Sequence, residues 1–317
     1  MLPKNIVSLD GSLNDKEILK HEIIYKGVNG KSVERFYVSP TESYVFKPLT
    51  NHDQLGKELW VNEHLLPFFP RIYPKMIAYS ASQNPDLYWM IFEDLGPLTH
   101  VFNEEVVLGV TKLMAWWHSL PIEGLINVPL TGPKPRIEEM ALVVSLKKHE
   151  FLDLLPLLQM EEKKIYPIYT LLDQMEFSKK VVLSHGDLHL GNFAMVKNKT
   201  FILDWEHAHL NTPFWDLFHL IDMSHPLFPK KVNRSFRDRI LNEYLDQLES
   251  NGMEVNGQAF LKEYYLFSSV FSIWMIFLIT KDLRENNQTW SKNQLENQLR
   301  ETLSSLTQCA DSLYTIV

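Results

Sequence analysis

One polar loop, flanked by two short apolar segments, carries the residue types best suited to catalysis. The loop reads Ser184-His-Gly-Asp-Leu-His-Leu-Gly-Asn192. The flanking segments are predicted to be strands, Val181-Val-Leu183 and Thr200-Phe-Ile-Leu203. Burying polar side chains costs free energy unless they are paired, so stability alone does not explain this loop. Asp187 and Asn192 are five residues apart, and Asp204 follows Asn192 by twelve. A carboxylate can accept a proton, and carboxylate and amide oxygens suit Mg²⁺.

The spacing of these residues matches the arrangement that kinases use for phosphoryl transfer. In that arrangement an Asp accepts the proton of the substrate hydroxyl, while an Asn and a second Asp hold Mg²⁺ against the phosphates of ATP. A lone Asp-x-x-x-x-Asn pattern is common by chance, but its place between two strands and the following Asp204-Trp-Glu206 favour a function. His189 is interpreted as a satisfied loop histidine. For Glu206 two interpretations stay open, a group that supports the metal site and a salt-bridge partner.

Three segments resemble the aminoglycoside phosphotransferase family, whose kinase-like members include choline, fructosamine and homoserine kinases. The segments are His185-Gly-Asp-Leu-His-Leu-Gly-Asn192, Ile202-Leu-Asp-Trp-Glu206 and Pro213-Phe-Trp-Asp-Leu217. Their order and spacing agree with the family from about residue 22 to 217, roughly two-thirds of the chain. The resemblance implies a protein-kinase-like fold of two lobes and the use of ATP and Mg²⁺.

The resemblance also implies roles for individual residues of the central motif. Asp187 would be the catalytic base, and Asn192 and Asp204 would be the metal ligands. His185, Gly186 and Asp216 would support the catalytic loop.

A kinase also needs a lysine on the third strand of its N-terminal sheet, paired with a Glu of the following helix. Lys47, at the end of Tyr44-Val-Phe-Lys47, is in that place, although a lysine at a strand end is usually just solvated. Glu58 lies eleven residues further on and is the favoured partner. Glu63 is the alternative, because it lies five residues after Glu58 on the same predicted helix and the two side chains point in only partly different directions.

Two N-terminal segments are expected to contact the nucleotide. The segment from Gly27 to Val38 resembles the phosphate-covering loop of the family, with Gly30 and Ser32 matching, although an ordinary Asn-Gly turn would look the same locally. Asn29 and Val33 depart from the family pattern. The adenine is expected to bind backbone groups of the connection between the lobes, where Glu93 and Leu95 are the candidate residues.

The distribution of elements predicts an α+β protein with one domain at 1–95 and a helical domain at 96–317. The resemblance implies that the first domain binds ATP and that the second holds the catalytic loop and the acceptor cleft. The first domain is expected to be a small antiparallel sheet of five strands with one helix, running from about Asp53 to Pro67 with Asn51 as its N-cap. Further on, Asn103 is predicted to cap a helix, and Ser291 to open the last helix with a capping box.

The acceptor of the phosphoryl group is predicted to be a small hydroxylated molecule that can carry an amine. Only twelve residues separate Asp204 from Asp216, too few for the activation segment of a protein kinase. Candidate walls of the acceptor cleft are Trp205, His207, Trp215, His219 and Asp222, although any single Trp is more often a core residue. An active kinase is favoured over a kinase-fold binding or regulatory protein without turnover, because Lys47 and the three motif residues are intact. The acceptor's identity, the choice of ATP or GTP and the oligomeric state stay open.

Composition excludes several classes of protein. The 317 residues are 45% hydrophobic and 22% charged, with a net charge of −8, so neither disorder nor binding of nucleic acid is expected. The single cysteine, Cys309, excludes an internal disulfide and, with the absence of an apolar leader, favours a cytoplasmic protein. The uncharged stretch from Tyr264 to Thr280 is short for a bilayer and contains three serines, so it is interpreted as a buried core helix rather than a membrane span.

Overall fold

The computed structural model describes residues 2–27, 29–125, 135–174, 176–285 and 290–316. The chain divides into two compact units. The first unit consists of Met1–His100 with Asn192–Ala208, and the second of Val101–Gly191 with His209–Val317. The first unit therefore extends past the predicted boundary at residue 95 and also includes a later segment.

The strands, in chain order, are β1 (Lys20–Lys26), β2 (Ser32–Ser39), β3 (Glu42–Pro48), β4 (Met76–Ser80), β5 (Trp89–Glu93), β6 (Val182–Ser184), β7 (Phe193–Val196), β8 (Lys199–Ile202) and β9 (His209–Asn211). The α-helices are α1 (Lys57–His64), α2 (Glu104–His118), α3 (Ile137–Leu146), α4 (Lys148–Leu154), α5 (Tyr166–Gln174), α6 (Pro213–Ile221), α7 (Arg234–Ser250), α8 (Gly257–Glu285) and α9 (Lys292–Ile316).

The first unit is built on an antiparallel sheet with strand order β1-β2-β3-β5-β4. Strand β5 is buried on both faces, which explains its nearly continuous apolar sequence. Met90 and Phe92 pack with Leu59 of α1 on one face, while Ile91 packs with Phe36 on the other. The hairpin β7–β8 joins this unit because Ile202 donates its backbone N–H to the carbonyl of Ile72 at 2.6 Å.

The helix of the first unit begins later than predicted. Asn51 does cap a turn, since its side chain accepts from the N–H of Asp53, but that turn is a short 3₁₀ helix, His52–Gln54. Gly56 then has a φ of +79°, a left-handed conformation that stops a continuous helix and starts α1 at Lys57. The prediction of one helix running from Asp53 was therefore wrong at its start.

The second unit is mainly helical, with a two-stranded ladder of β6 and β9. Both predicted caps are present, since Asn103 accepts from the N–H of Val106 and Ser291 forms reciprocal hydrogen bonds with Gln294. Helix α8 is long and apolar enough to cross a membrane by length and composition, and 61% of its most apolar 18-residue stretch is buried inside the protein. It packs against α3, α5, α6 and α9, as expected of a core helix.

Candidate active site

Lys47 of β3 is surrounded by three carboxylates of the first unit. Its Nζ lies 2.6 Å from Oε2 of Glu58, 2.6 Å from Oδ1 of Asp204 and 3.0 Å from Oε2 of Glu206. We call these four residues the carboxylate cluster. The structure thus brings Lys47 together with Glu58, the favoured partner, whereas Glu63 accepts a hydrogen bond from the hydroxyl of Tyr79 at the surface.

The carboxylate cluster contains three acidic groups and one ammonium group, and these charges shift the pKa values of its carboxylates. Burial, reinforced by Asp204 and Glu206 against the pull of Lys47, raises the pKa of Glu58 to about 7. Burial also opposes ionisation of Glu206, but Lys47 and His207 outweigh it and lower the pKa of Glu206 to about 2. An added cation would be stabilised here, because one ammonium group does not balance three carboxylates.

Asp204 has an unusual backbone conformation of the kind found at functional sites. Its backbone lies in the left-handed region, with φ 59° and ψ 65°, which is costly for a residue other than glycine and is found preferentially at functional sites. Its side chain is 36% exposed, although Oδ1 contacts Lys47. One carboxylate oxygen from each of Glu58, Asp204 and Glu206 lies within 4.8 Å of the other two. An all-oxygen donor set of this kind fits Mg²⁺.

Asn192 lies at the same open end of the β7–β8 hairpin as Asp204, since it precedes β7 and Asp204 follows β8. The register of β7 and β8 pairs Phe193 with Ile202, and the carbonyl of Asn192 accepts the N–H of Leu203 at 2.8 Å. Asn192 is therefore hydrogen-bonded across the hairpin to Leu203, the residue directly before Asp204. The sequence predicted both as metal ligands, and the ladder explains why a separation of twelve residues brings their backbones close.

The two predicted nucleotide segments form ordered parts of the first unit. Gly30, with a φ of +83°, lies in the turn between β1 and β2, and Ser32 begins β2; Val28 of the same loop lies outside the described residues. At the predicted adenine contact, the N–H of Glu93 donates to the carbonyl of Lys75 at 2.8 Å, so it is used within the sheet. Leu95 directly follows Asp94, which is held in place by other contacts.

Asp94 fixes this connection and was missed by the sequence analysis. Its carboxylate accepts from Nε of Arg35 at 2.7 Å, from Oγ of Ser43 at 2.7 Å and from the N–H of Gly96 at 2.9 Å. Its position directly after a buried strand was the signal that could have found it.

In the second unit, Asp216 organises the start of the catalytic loop. This fully buried carboxylate accepts from Oγ of Ser184 at 2.7 Å and from the N–H groups of His185 and Gly186 at 2.7 and 3.0 Å. Nε2 of His118 lies 3.1 Å from the same carboxylate. Burial opposes ionisation, but these partners outweigh it and hold the pKa of Asp216 far below its usual value. The loop-supporting role implied for Asp216 has a clear physical basis in these contacts.

Asp187 lies beside a group of aromatic rings within the second unit. Its carboxylate is 30% exposed, and Oδ2 lies 3.5 Å from Nε2 of His189. The His189 ring stacks on His225 with centroids 4.5 Å apart, and Phe228 and Trp290 pack around this pair. We call His189, His225, Phe228 and Trp290 the aromatic cluster. His189 was predicted to be an ordinary loop residue, and the other three residues, which lie far away in sequence, were not predicted to belong to the site.

The predicted walls of an acceptor cleft are mostly core residues. Asp222 is buried and pairs with Arg237 at 2.6 Å, and it also accepts from Tyr264, Ser268 and Ser305, so it does not face a substrate. The indole N–H of Trp215 donates to the carbonyl of Gly186, and His219 bonds to the carbonyl of Trp215. Trp205 is buried against Phe69 in the first unit. The prediction that Asp222 forms part of the wall of the acceptor cleft was therefore wrong.

The chain is similar to several known phosphotransferases and kinases. A family model described as "Phosphotransferase enzyme family" matches residues 60–255. A LicA homolog of Mycoplasma capricolum subsp. capricolum is 24% identical over 179 residues, which cover 56% of this chain and 66% of that relative. A choline kinase from Cryptosporidium parvum Iowa II has a TM-score of 0.58 and 15% identity, over 96% of this chain and 92% of that one. The AMP-bound spectinomycin phosphotransferase has a TM-score of 0.60 and 13% identity, over 93% of both chains. These structural likenesses confirm the predicted fold class.

Proposed function

Because the chain belongs to the phosphotransferase enzyme family, we propose that it transfers the γ-phosphoryl group of Mg·ATP to a hydroxyl group of a small molecule. The family match confirms the predicted family and enzyme class. The observation that carries the proposal further is the ion pair of Lys47 with Glu58 beside Asp204. This pair holds the ammonium group where it can contact nucleotide phosphates, as phosphoryl transfer requires.

Residues of the first unit would bind and orient the nucleotide. Lys47, held by Glu58 and Glu206, would donate to phosphate oxygens, since positioning and charge stabilisation supply most of the catalysis of phosphoryl transfer. Asn192 and Asp204 would hold Mg²⁺, which when bound neutralises charge on the phosphates.

Asp187 would act as the general base. It takes the proton of the acceptor hydroxyl while the hydroxyl oxygen bonds to the γ-phosphorus, and the bond from that phosphorus to the bridging oxygen breaks to release ADP. A partly exposed carboxylate on a loop fixed by Asp216 suits this role, because it is both accessible and well oriented.

The acceptor class follows from the aromatic cluster beside Asp187. Phe228 and Trp290 are partly exposed, and they belong to the ring cluster whose member His189 lies 3.5 Å from the Asp187 carboxylate. Ring faces attract cations, so this cluster suits a hydroxylated amine. Choline and spectinomycin, for which two of the similar structures are named, are molecules of this kind.

A transfer assay tests the proposed function. Purified protein is incubated with Mg²⁺ and γ-labelled ATP or GTP and a panel of amino alcohols, amino sugars, neutral sugars, anionic sugars and peptides. We expect label on an amine-bearing alcohol or sugar. Label only on peptides or on anionic sugars would contradict the acceptor class, and no label on any hydroxyl compound would contradict turnover.

Mg·ATP is expected to raise the melting temperature of the protein. At about 100 times Kd, a ligand that binds only the native state stabilises by about 2.7 kcal/mol. EDTA should remove most of the effect, and Asp204→Ala should weaken it, because that variant loses a proposed metal ligand. Asp153→Ala, at an exposed position of α4, is the matched control and should respond like wild type. The melting temperature is measured by differential scanning calorimetry. If saturating nucleotide leaves it unchanged, nucleotide binding is contradicted.

A further inference from the structure

His189 makes contacts that set which of its ring nitrogens carries the proton. Its Nδ1 accepts the backbone N–H of Gly191 at 3.0 Å, so Nδ1 is unprotonated. The ring proton is therefore on Nε2, the nitrogen that lies 3.5 Å from Oδ2 of Asp187. A donor thus faces one particular oxygen of the carboxylate, at a separation that can shorten when substrates are bound.

The ring of His189 is held in place by stacking. His225 lies parallel to it, at 4.5 Å and an interplanar angle of 8°, and Phe228 packs against both rings. Nδ1 of His225 accepts the N–H of Leu227 at 3.2 Å, which fixes that ring in turn. Burial, together with His189, lowers the pKa of His225 to about 4, so His225 adds no positive charge to the stack near neutral pH.

Gly191 shows how closely the stack fits the catalytic loop. A Cβ at this position would lie 2.5 Å from Cε2 of Phe228 and 2.6 Å from Cε1 of His189. A side chain here would force the Phe228 ring, the His189 imidazole or both to move. The absence of a side chain at Gly191 is thus part of what places His189 beside Asp187.

We propose that His189 is a positioning residue for Asp187, held by the His225 and Phe228 rings so that its Nε2–H orients Oδ2 and the proton of the acceptor hydroxyl goes to Oδ1. The inference rests on the proposed function, because it assumes that Asp187 is the base. In the step itself, the O–H bond of the acceptor breaks, its oxygen bonds to the γ-phosphorus, and ADP leaves with the electrons of the broken P–O bond. His189 gains and loses no proton. It reduces the number of orientations that the carboxylate can adopt, and a misplacement of about 1 Å can cost about 10²-fold in rate.

The test compares two substitutions of His189 in the full-length protein. His189→Phe keeps a flat ring for stacking and removes both the donor to Asp187 and the acceptor of the Gly191 N–H, so kcat should fall by about 10²-fold. KM for ATP, the affinity for Mg·ATP measured by calorimetry and the melting temperature should stay near their wild-type values. His189→Gln restores an N–H donor and should recover at least tenfold of the lost kcat. His149→Phe, which makes the same change at an exposed position of α4, is the matched control and should be as active as wild type.

The outcomes separate this inference from the proposed function. If His189→Phe keeps near-native kcat while Asp187→Asn is inactive, the positioning role is overturned and the proposed function stands. If His189→Gln is as slow as His189→Phe, or if both lose thermal stability in step with activity, the role of His189 is structural and the inference is likewise overturned. Failure of the wild-type protein to transfer phosphate to any acceptor would instead overturn the proposed function itself.

Discussion

Asp187→Asn is expected to lower kcat by about 10²–10⁴-fold, the usual contribution of a general base. The amide has nearly the same shape but cannot take the proton of the acceptor hydroxyl. Binding of Mg·ATP should be unchanged, because the proposed nucleotide contacts belong to Lys47, Asn192 and Asp204. Transfer of labelled phosphate and calorimetric nucleotide binding, measured on the same preparation, check both statements.

The matched control for this prediction is Asp246→Asn, which makes the same change at an exposed position of α7. It should have wild-type kcat and wild-type nucleotide affinity. Near-native kcat in Asp187→Asn would assign the base elsewhere. Loss of nucleotide binding in that variant would show that Asp187 serves the nucleotide rather than the acceptor.

Asp216→Ala is expected to destabilise the protein by about 3–5 kcal/mol, because removing one partner of a buried charged network leaves the others without compensation. The groups that lose their acceptor are Oγ of Ser184, the N–H groups of His185 and Gly186, and Nε2 of His118. The measurement is urea denaturation followed by circular dichroism. Activity should fall as well, because the same contacts fix the loop that bears Asp187.

Two further variants make this prediction specific. Asp216→Asn keeps the shape and one acceptor oxygen, so its loss should be smaller than that of Asp216→Ala. Asp153→Ala, the exposed control, should unfold at the wild-type urea concentration. Since the folded state holds the pKa of Asp216 below its usual value, the stabilisation is complete above the ordinary pKa of an Asp and is lost as the pH falls through the folded value. A loss of less than about 1 kcal/mol in Asp216→Ala near neutral pH would mean that the network contributes little.

Short-range relations were predictable from the sequence. Asn103 and Ser291 cap helices through groups only three residues away, so their roles follow from local hydrogen bonding. The pairing of Lys47 with Glu58 spans eleven residues, a distance covered by the end of one strand, a turn and the start of one helix. The start of α1 was predicted wrongly, because the positive φ of Gly56 makes the helix begin at Lys57 and not at Asp53.

By itself, the sequence determined the family motif, the order of elements and the candidate catalytic residues, because each depends on residue types at short spacing. The tertiary structure alone decided which polar residues pair with one another. His118 meets Asp216 across 98 positions and Ser305 meets Asp222 across 83, so Asp222 became a buried structural acid and not a wall of the acceptor cleft. The rings around His189 were likewise assembled by packing. Such contacts depend on how whole helices pack together, and the free energy of that packing is spread over many apolar residues that carry no local signature.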